Sequence, residues 1–308
     1  MNSLHQHVDE YLRLRRSLGF KLRWTDQLLA HFADFCEEAG SDTVTVDLAL
    51  AWACQPQGCQ PSWWATRLKA VRPFARHLHA IDSRHQVPPP DLLPWGLKRA
   101  EPFIYSSAEV AQLMSAASRL RHPLVAATYT TYLGLLSVTG MRASEAINLD
   151  RADVLWSESL LVIRDSKFGR SREVVLHASA LDALHKYDRQ RQRHCSRPQT
   201  TAFFTSSRGT RLIYADVQRT FHKLTKRVGL APCSERCRPR LHDFRHTFAV
   251  DTLLGWYRAG LDVDVRMHLL TTYLGHIEPA STYWYLSATP QLMAIVAERL
   301  ERQLGELP

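Results

Sequence analysis

"HQVPPPDLLPWGLKRAEPFIY", residues 85–105, carries five prolines and holds neither a helical nor a strand period. Three of them are consecutive (Pro88, Pro89, Pro90), which favours extended polyproline geometry over either regular element. The stretch reads as a linker and divides the chain into residues 1–85, a connection over 86–105, and residues 106–308. At 308 residues and 45% hydrophobic content, the chain has the length and apolar content for about two domains.

Upstream of the prolines the apolar residues recur with helical spacing: Val8, Tyr11 and Leu12; then Leu28, Phe32, Phe35 and Cys36; then Trp64, Leu68, Val71, Ala75 and Leu78. This predicts a small all-helical domain. Its last helix also carries Arg67, Lys69, Arg72, Arg76 and His79 beside the apolar stripe. Such a row is either a solvated face or a flank laid against DNA phosphates. Pro73 predicts a kink or restart in that helix, because an interior proline removes a hydrogen bond.

Downstream, "SSAE" (Ser106 to Glu109) has the S-x-x-E capping-box form and predicts a helix start. Helical patterns run to residue 149. "SLLVIRDSKFGRSREVVLH", residues 159–177, then changes period: two β-branched runs, Leu160 to Arg164 and Glu173 to His177, flank a polar turn containing Gly169. Helical patterns resume after this hairpin. The final stripe of Leu292, Ile295, Val296, Leu300 and Leu304 either closes the chain's own core or packs on a neighbouring subunit. The fold class expected is mainly α with a small antiparallel β element.

The formal charge is +9, divided as +2 over residues 1–100 and +7 over residues 101–308. A basic surface favours a polyanionic partner, since neutralising phosphates releases counterions. Six cysteines and no apolar leader predict a reduced, cytoplasmic setting, and no apolar run approaches the ~20 residues a membrane span needs. Cys233, Cys237, His242 and His246 have a superficially zinc-like order, but only four residues separate the two pairs, too few for the hairpin of a finger. No metal and no cofactor are expected.

Four stretches of the second domain carry chemistry. "SVTGMRASEAINL" puts Arg142 just after a glycine, with Glu145 three residues on. "DSKFGRSR" sets Lys167 at the hairpin tip; Arg164, Arg170 and Arg172 are near it, but a guanidinium is too weak an acid to give up a proton, whereas a lysine is tunable. "HDFRHTFA" spaces His242 and Arg245 at i and i+3, on one helix face, and "YLGHIEPASTYWYL" supplies His276, Tyr283 and Tyr285. Each has an ordinary reading alone: a surface ion pair, a turn lysine, a packing pair.

Together and in this order, the elements resemble the tyrosine recombinase (phage integrase) family. Its catalytic domain carries T-G-x-R-x-x-E, a hairpin lysine, H-x-x-R, L-G-H, and a tyrosine nine residues after that last histidine, which selects Tyr285 over Tyr283. The resemblance implies a helical core-binding (SAM-like) DNA-binding domain over 1–85 and a catalytic domain over 106–308, a simple pair like Xer-type or Cre-type proteins. The stretch from Leu254 to Met293 further resembles recombinases of bacterial mobile elements. Between Arg245 and His276 the interval is longer than in many relatives.

The roles the resemblance implies agree with what the chemistry requires. A nucleophile that stays attached conserves the energy of the broken phosphodiester as a covalent 3′-phosphotyrosine link, so religation needs no ATP. A phenol of ordinary pKa about 10 needs help to lose its proton. Arg142 and Arg245 would stabilise the charge building on the nonbridging oxygens, with a further hydrogen bond from His276. Lys167 would protonate the leaving oxygen, His242 would act as base, and Glu145 would hold Arg142. Tyr283, with Trp284, would pack the segment that presents the nucleophile.

The implied partners are double-stranded recombination sites and a tetramer on DNA, either of this chain alone or with related recombinases. No membrane is involved, and the expected location is the bacterial cytoplasm, on the nucleoid when DNA is bound. Three rival readings remain at this stage: a type IB topoisomerase-like relaxer, a Xer-like resolvase of chromosome or plasmid dimers, and a noncatalytic DNA-binding module keeping the same fold.

Overall fold

A computed structural model describes residues 3–20, 22, 24–94, 101–164, 171–195, 199–287, 292–294, 297 and 301. The chain forms two compact units, Met1–Arg99 and Ala100–Pro308. No described helix is long and apolar enough to cross a membrane.

The first unit is four helices: α1 (Leu4–Ser17), α2 (Thr25–Glu38), α3 (Val46–Cys54) and α4 (Pro61–Ile81). Ser3 caps α1 in a capping box with Gln6, and the Thr45 side chain caps α3. Val8, Tyr11 and Leu12 of α1 meet Leu29, Phe32 and Cys36 of α2, Trp52 of α3, and Leu68, Val71, Phe74 and Leu78 of α4 in one core. Leu29 and Ala33 lie at the centre of the α2 face, with Leu28 and Phe35 only half-buried, one position round from the stripe expected. Nor does Pro73 end α4, which runs through it for 21 residues; the buried residues on both sides of the proline keep it packed.

Residues at both ends of the proline-rich stretch pack into the unit beside them. His85 is buried and its Nδ1 accepts from the Val44 amide at 3.0 Å, while Arg72 donates to the carbonyls of Pro88 and Pro89 at 2.8 and 2.9 Å. On the other side, Phe103 and Tyr105 are buried in the second unit, where Tyr105 stacks on Phe244 at 4.6 Å and donates its backbone N–H to the Thr247 hydroxyl at 2.9 Å.

In the second unit the Ser106–Glu109 capping box forms as expected and opens α5 (Ser107–Ser118). Helices α6 (Pro123–Thr139) and α7 (Ala143–Asn148) lead to a three-stranded antiparallel sheet, β1 (Val154–Leu155), β2 (Leu160–Ile163) and β3 (Arg172–Val175). The predicted hairpin pairs Leu160 with Val175 and Ile163 with Arg172; β1, too short for a period, is the addition. Helices α8 (Ala178–His194) and α9 (Tyr214–Arg227) follow, then α10 (Asp243–Arg258), α11 (Val263–Leu274) and α12 (Ala280–Tyr283), the last running into a 3-10 turn over Trp284–Ser287.

A separate apolar cluster joins α10 and α11: Val250, Leu253, Val263, Met267, Leu270 and Leu274 pack with Tyr285 and Leu292. Leu292 thus starts the carboxyl-terminal stripe inside the chain's own core. Ile295, Val296, Leu300 and Leu304 lie outside the residues whose side chains are described.

Candidate active site

The site is organised by two helix ends. Helix α6 closes on Gly140 at φ +58, a left-handed conformation that suits glycine, and a Cβ there would lie 2.5 Å from Phe248 Cδ1. Helix α11 closes the same way on Gly275 at φ +66. The last carbonyls of a helix have no partner within it and carry partial negative charge. Here arginines from three different elements take them. Arg172, first residue of β3, donates through Nε to the Tyr273 carbonyl at 2.9 Å. Arg245 of α10 donates to the Leu274 carbonyl at 2.5 Å and to Gly140 at 3.1 Å, and Arg142 donates to the Gly275 carbonyl at 3.2 Å. "YLG" in the chain therefore gathers the cations.

Arg142 is the N-cap of α7, in extended conformation. Glu145 fixes it: one carboxylate oxygen accepts from Arg142 Nη1 at 2.7 Å, the other from the Arg142 amide at 2.9 Å. Arg172 grips the same carboxylate with its two terminal guanidinium nitrogens, Nη1 and Nη2, at 3.0 and 2.7 Å. Burial pushes the Glu145 carboxyl up, but its bonds to Arg172 and Arg142 outweigh this and hold it at about 2. Arg245 is 1% exposed; burial, then the charge of Arg142, lowers its guanidinium to about 10, which leaves it cationic at neutral pH.

His276 follows Gly275 directly. Burial first, then the charges of Arg245 and Arg142, push its imidazole down to about 3, so the ring is neutral and has one N–H to give. Its Nδ1 lies 2.7 Å from the hydroxyl of Thr282, a fully buried residue of α12. The Thr271 hydroxyl lies 2.8 Å from the Met267 carbonyl and 3.0 Å from Thr282 Oγ1, so Thr282 joins His276 to the last turn of α11. Thr282→Val is expected to slow DNA cleavage about 10-fold while Thr282→Ser keeps it, a comparison read from the rate of covalent adduct formation.

Tyr285 is 2% exposed and its ring lies parallel to His276, centroids 6.0 Å apart. It meets His246 edge-on at 5.4 Å and Trp284 at 5.5 Å. Tyr283, expected to pack, is instead 43% exposed; packing falls to Trp284 and to Tyr285 itself. The 3.6-residue turn explains the exchange, since residues two apart on a helical segment face apart. His242 stands at the N-cap of α10, exposed, while Arg245 three residues on is buried, and its ring meets His246 at 4.8 Å.

Residues 105–291 match the Phage integrase family. The chain belongs to that family. It is a tyrosine recombinase, of the class of enzymes that cleave and rejoin DNA at specific sites. It is 45% identical over 98% of its length to the Sinorhizobium fredii protein y4rB, named an integrase/recombinase, and covers 98% of that relative. Two solved structures share the fold: the Tn1549 transposon integrase in complex with transposon right end DNA (TM-score 0.64, 17% identity, 97% of this chain and all of that one), and a lambda integrase tetramer bound to a Holliday junction (TM-score 0.61, 18% identity, 91% and 79%).

In this recombinase the structure brings Arg142, Glu145, Arg245, His276 and Tyr285 into one neighbourhood with Arg172, Thr282 and His246, which sequence reading did not assign to the site. Lys167 lies outside the described residues. The basic row of α4 separates. Arg67 is 8% exposed, stacked 3.8 Å over the Trp52 ring and donating to the Trp52 carbonyl, so it is a packing residue and faces no phosphate. Arg72 is likewise spent on the Pro88 and Pro89 carbonyls. Lys69 and Arg76 are exposed. Among the zinc-ordered residues, Cys237 is buried with its thiol on the Pro102 carbonyl, and His246 turns to Trp284 and Tyr285.

Proposed function

We propose that this recombinase cleaves double-stranded recombination sites through Tyr285, and that it serves to integrate, excise or transpose a mobile element. The single observation that supports this best is the gathering of Arg142 and Arg245 on the carboxyl end of α11, one residue before a neutral His276 against which Tyr285 is stacked. Two fixed guanidiniums and an N–H donor suit a phosphodiester whose nonbridging oxygens gain charge during attack.

The Tyr285 oxygen attacks phosphorus in line and forms the 3′-phosphotyrosine bond as the bond from phosphorus to the 5′ oxygen breaks. His242 takes the phenolic proton, with His246 bridging the two rings, and Lys167 gives a proton to the departing 5′ oxygen. Attack by a 5′ hydroxyl of another strand reverses these steps and completes exchange. Residues 1–85 act as the core-binding domain, with exposed Lys69 and Arg76 as phosphate contacts, residues 86–105 connect, and residues 106–308 carry the chemistry. The assembly is a tetramer on DNA in the cytoplasm, an arrangement for which the lambda integrase tetramer on a Holliday junction is the precedent.

Pairs of duplexes built from the DNA flanking the coding region, incubated with the purified protein, test this. Crossed-over products from paired sites are expected. Relaxation of supercoiled plasmid lacking those sites, without crossing over, would favour a topoisomerase-like activity instead.

A further inference from the structure

The sequence offers Arg172 only as a poor rival to Lys167 for the role of acid. Its position suggests another task. Its side chain is 10% exposed, and all three of its guanidinium nitrogens are engaged: Nη1 and Nη2 on Glu145, Nε on the Tyr273 carbonyl. A Cβ on Gly275 would lie 3.0 Å from Arg172 Nη1, so the glycine before His276 is also what makes room for this arginine.

The charge count around Glu145 gives these contacts a purpose. Arg142 and Glu145 alone form a neutral pair, joined at 2.7 Å, and a guanidinium already neutralised by a carboxylate attracts a phosphate weakly. With Arg172 on the same carboxylate, two cations share one anion and the group is net positive. Of the three side chains Arg142 is the most exposed, at 20% against 10% for Arg172 and 4% for Glu145, so the surplus charge is presented through Arg142.

We propose that Arg172 is a positioning residue that balances Glu145, so that the carboxylate orients Arg142 without cancelling the positive charge Arg142 brings to the scissile phosphate. The inference rests on the reading that Arg142 meets that phosphate. It explains why a carboxylate stands next to a group meant to bind an anion: Glu145 supplies direction, and Arg172 offsets the electrostatic cost.

The test is a two-residue cycle on a nicked duplex built from the flanking DNA, reading the first-order rate of adduct formation at saturating protein, with DNA affinity and thermal unfolding measured beside it. Arg172→Met is expected to slow adduct formation at least ~30-fold with affinity changed by less than about 3-fold. Adding Glu145→Gln to that variant removes the unbalanced carboxylate and is expected to recover at least ~5-fold of the rate. A purely structural clamp predicts the reverse, a double variant no faster than Arg172→Met, and that result overturns the proposal, as does an Arg172→Met protein of wild-type rate. Should Arg172→Met unfold, Arg172→Lys carries the test: it keeps the charge and is expected within about 5-fold of wild type, and a loss of ~30-fold or more counts against the charge-balance role. If the wild-type protein forms no adduct on the duplex, the functional reading falls and this inference with it; if wild type reacts and the cycle fails, only this inference falls.

Discussion

Tyr285→Phe is expected to abolish the covalent protein–DNA adduct, a loss of at least ~10³-fold in cleavage, while specific DNA binding stays within about 3-fold of wild type. The substitution removes one hydroxyl and keeps the ring that packs with Leu274 and Leu292 in the α10–α11 cluster and lies parallel to His276. The fold should therefore tolerate it. Tyr283→Phe is the paired control. That ring is 43% exposed and two residues from the proposed nucleophile, and its hydroxyl is expected to contribute nothing to the reaction. Both are read on a denaturing gel with labelled nicked DNA.

Arg245 carries the second large expected effect, because it ties two helix ends together and, in the proposed function, also holds the phosphate. Its guanidinium is almost wholly buried and spans two helix ends, Gly140 at the end of α6 and Leu274 at the end of α11. A lysine keeps the charge but presents one point where a planar fork is needed, so it cannot hold both carbonyls and a phosphate oxygen with the same geometry. Arg245→Lys is expected to cut the adduct rate by at least ~10²-fold. Arg245→Ala adds a cavity and leaves two buried carbonyls without donors, which should cost about 3 kcal/mol of stability and a clear drop in Tm. If both variants lost stability equally but cleaved at wild-type rate, Arg245 would be a structural residue alone.

Local rules written in few residues were legible in the sequence. The Ser106 capping box, the β2–β3 hairpin and the stripes of α1 and α4 depend on neighbours within one or two turns, and they form. Helix α3 was hidden because "VDLALAWAC" is apolar at every position but Asp47 and only nine residues long, leaving no period to read. The partners of long side chains were not legible either. Arg67 and Lys69 are two residues apart on one helix, yet one stacks on Trp52 and the other is exposed, a choice made by α3. Within the site, motif spacing pointed to Arg142, Arg245, His276 and Tyr285, but Arg172, Thr282 and His246 join them through contacts spanning 27, 6 and 39 residues, and only the fold closes those distances.

The central claim is that Tyr285 carries the DNA in a phosphotyrosine bond. It is tested most directly by trapping the adduct on nicked DNA, digesting both components, and locating the nucleotide-bearing peptide by mass spectrometry. The predicted result is a 3′-phosphonucleotide on Tyr285. A modification on Tyr283 or on any other residue, or a 5′-phosphate linkage, would contradict the account.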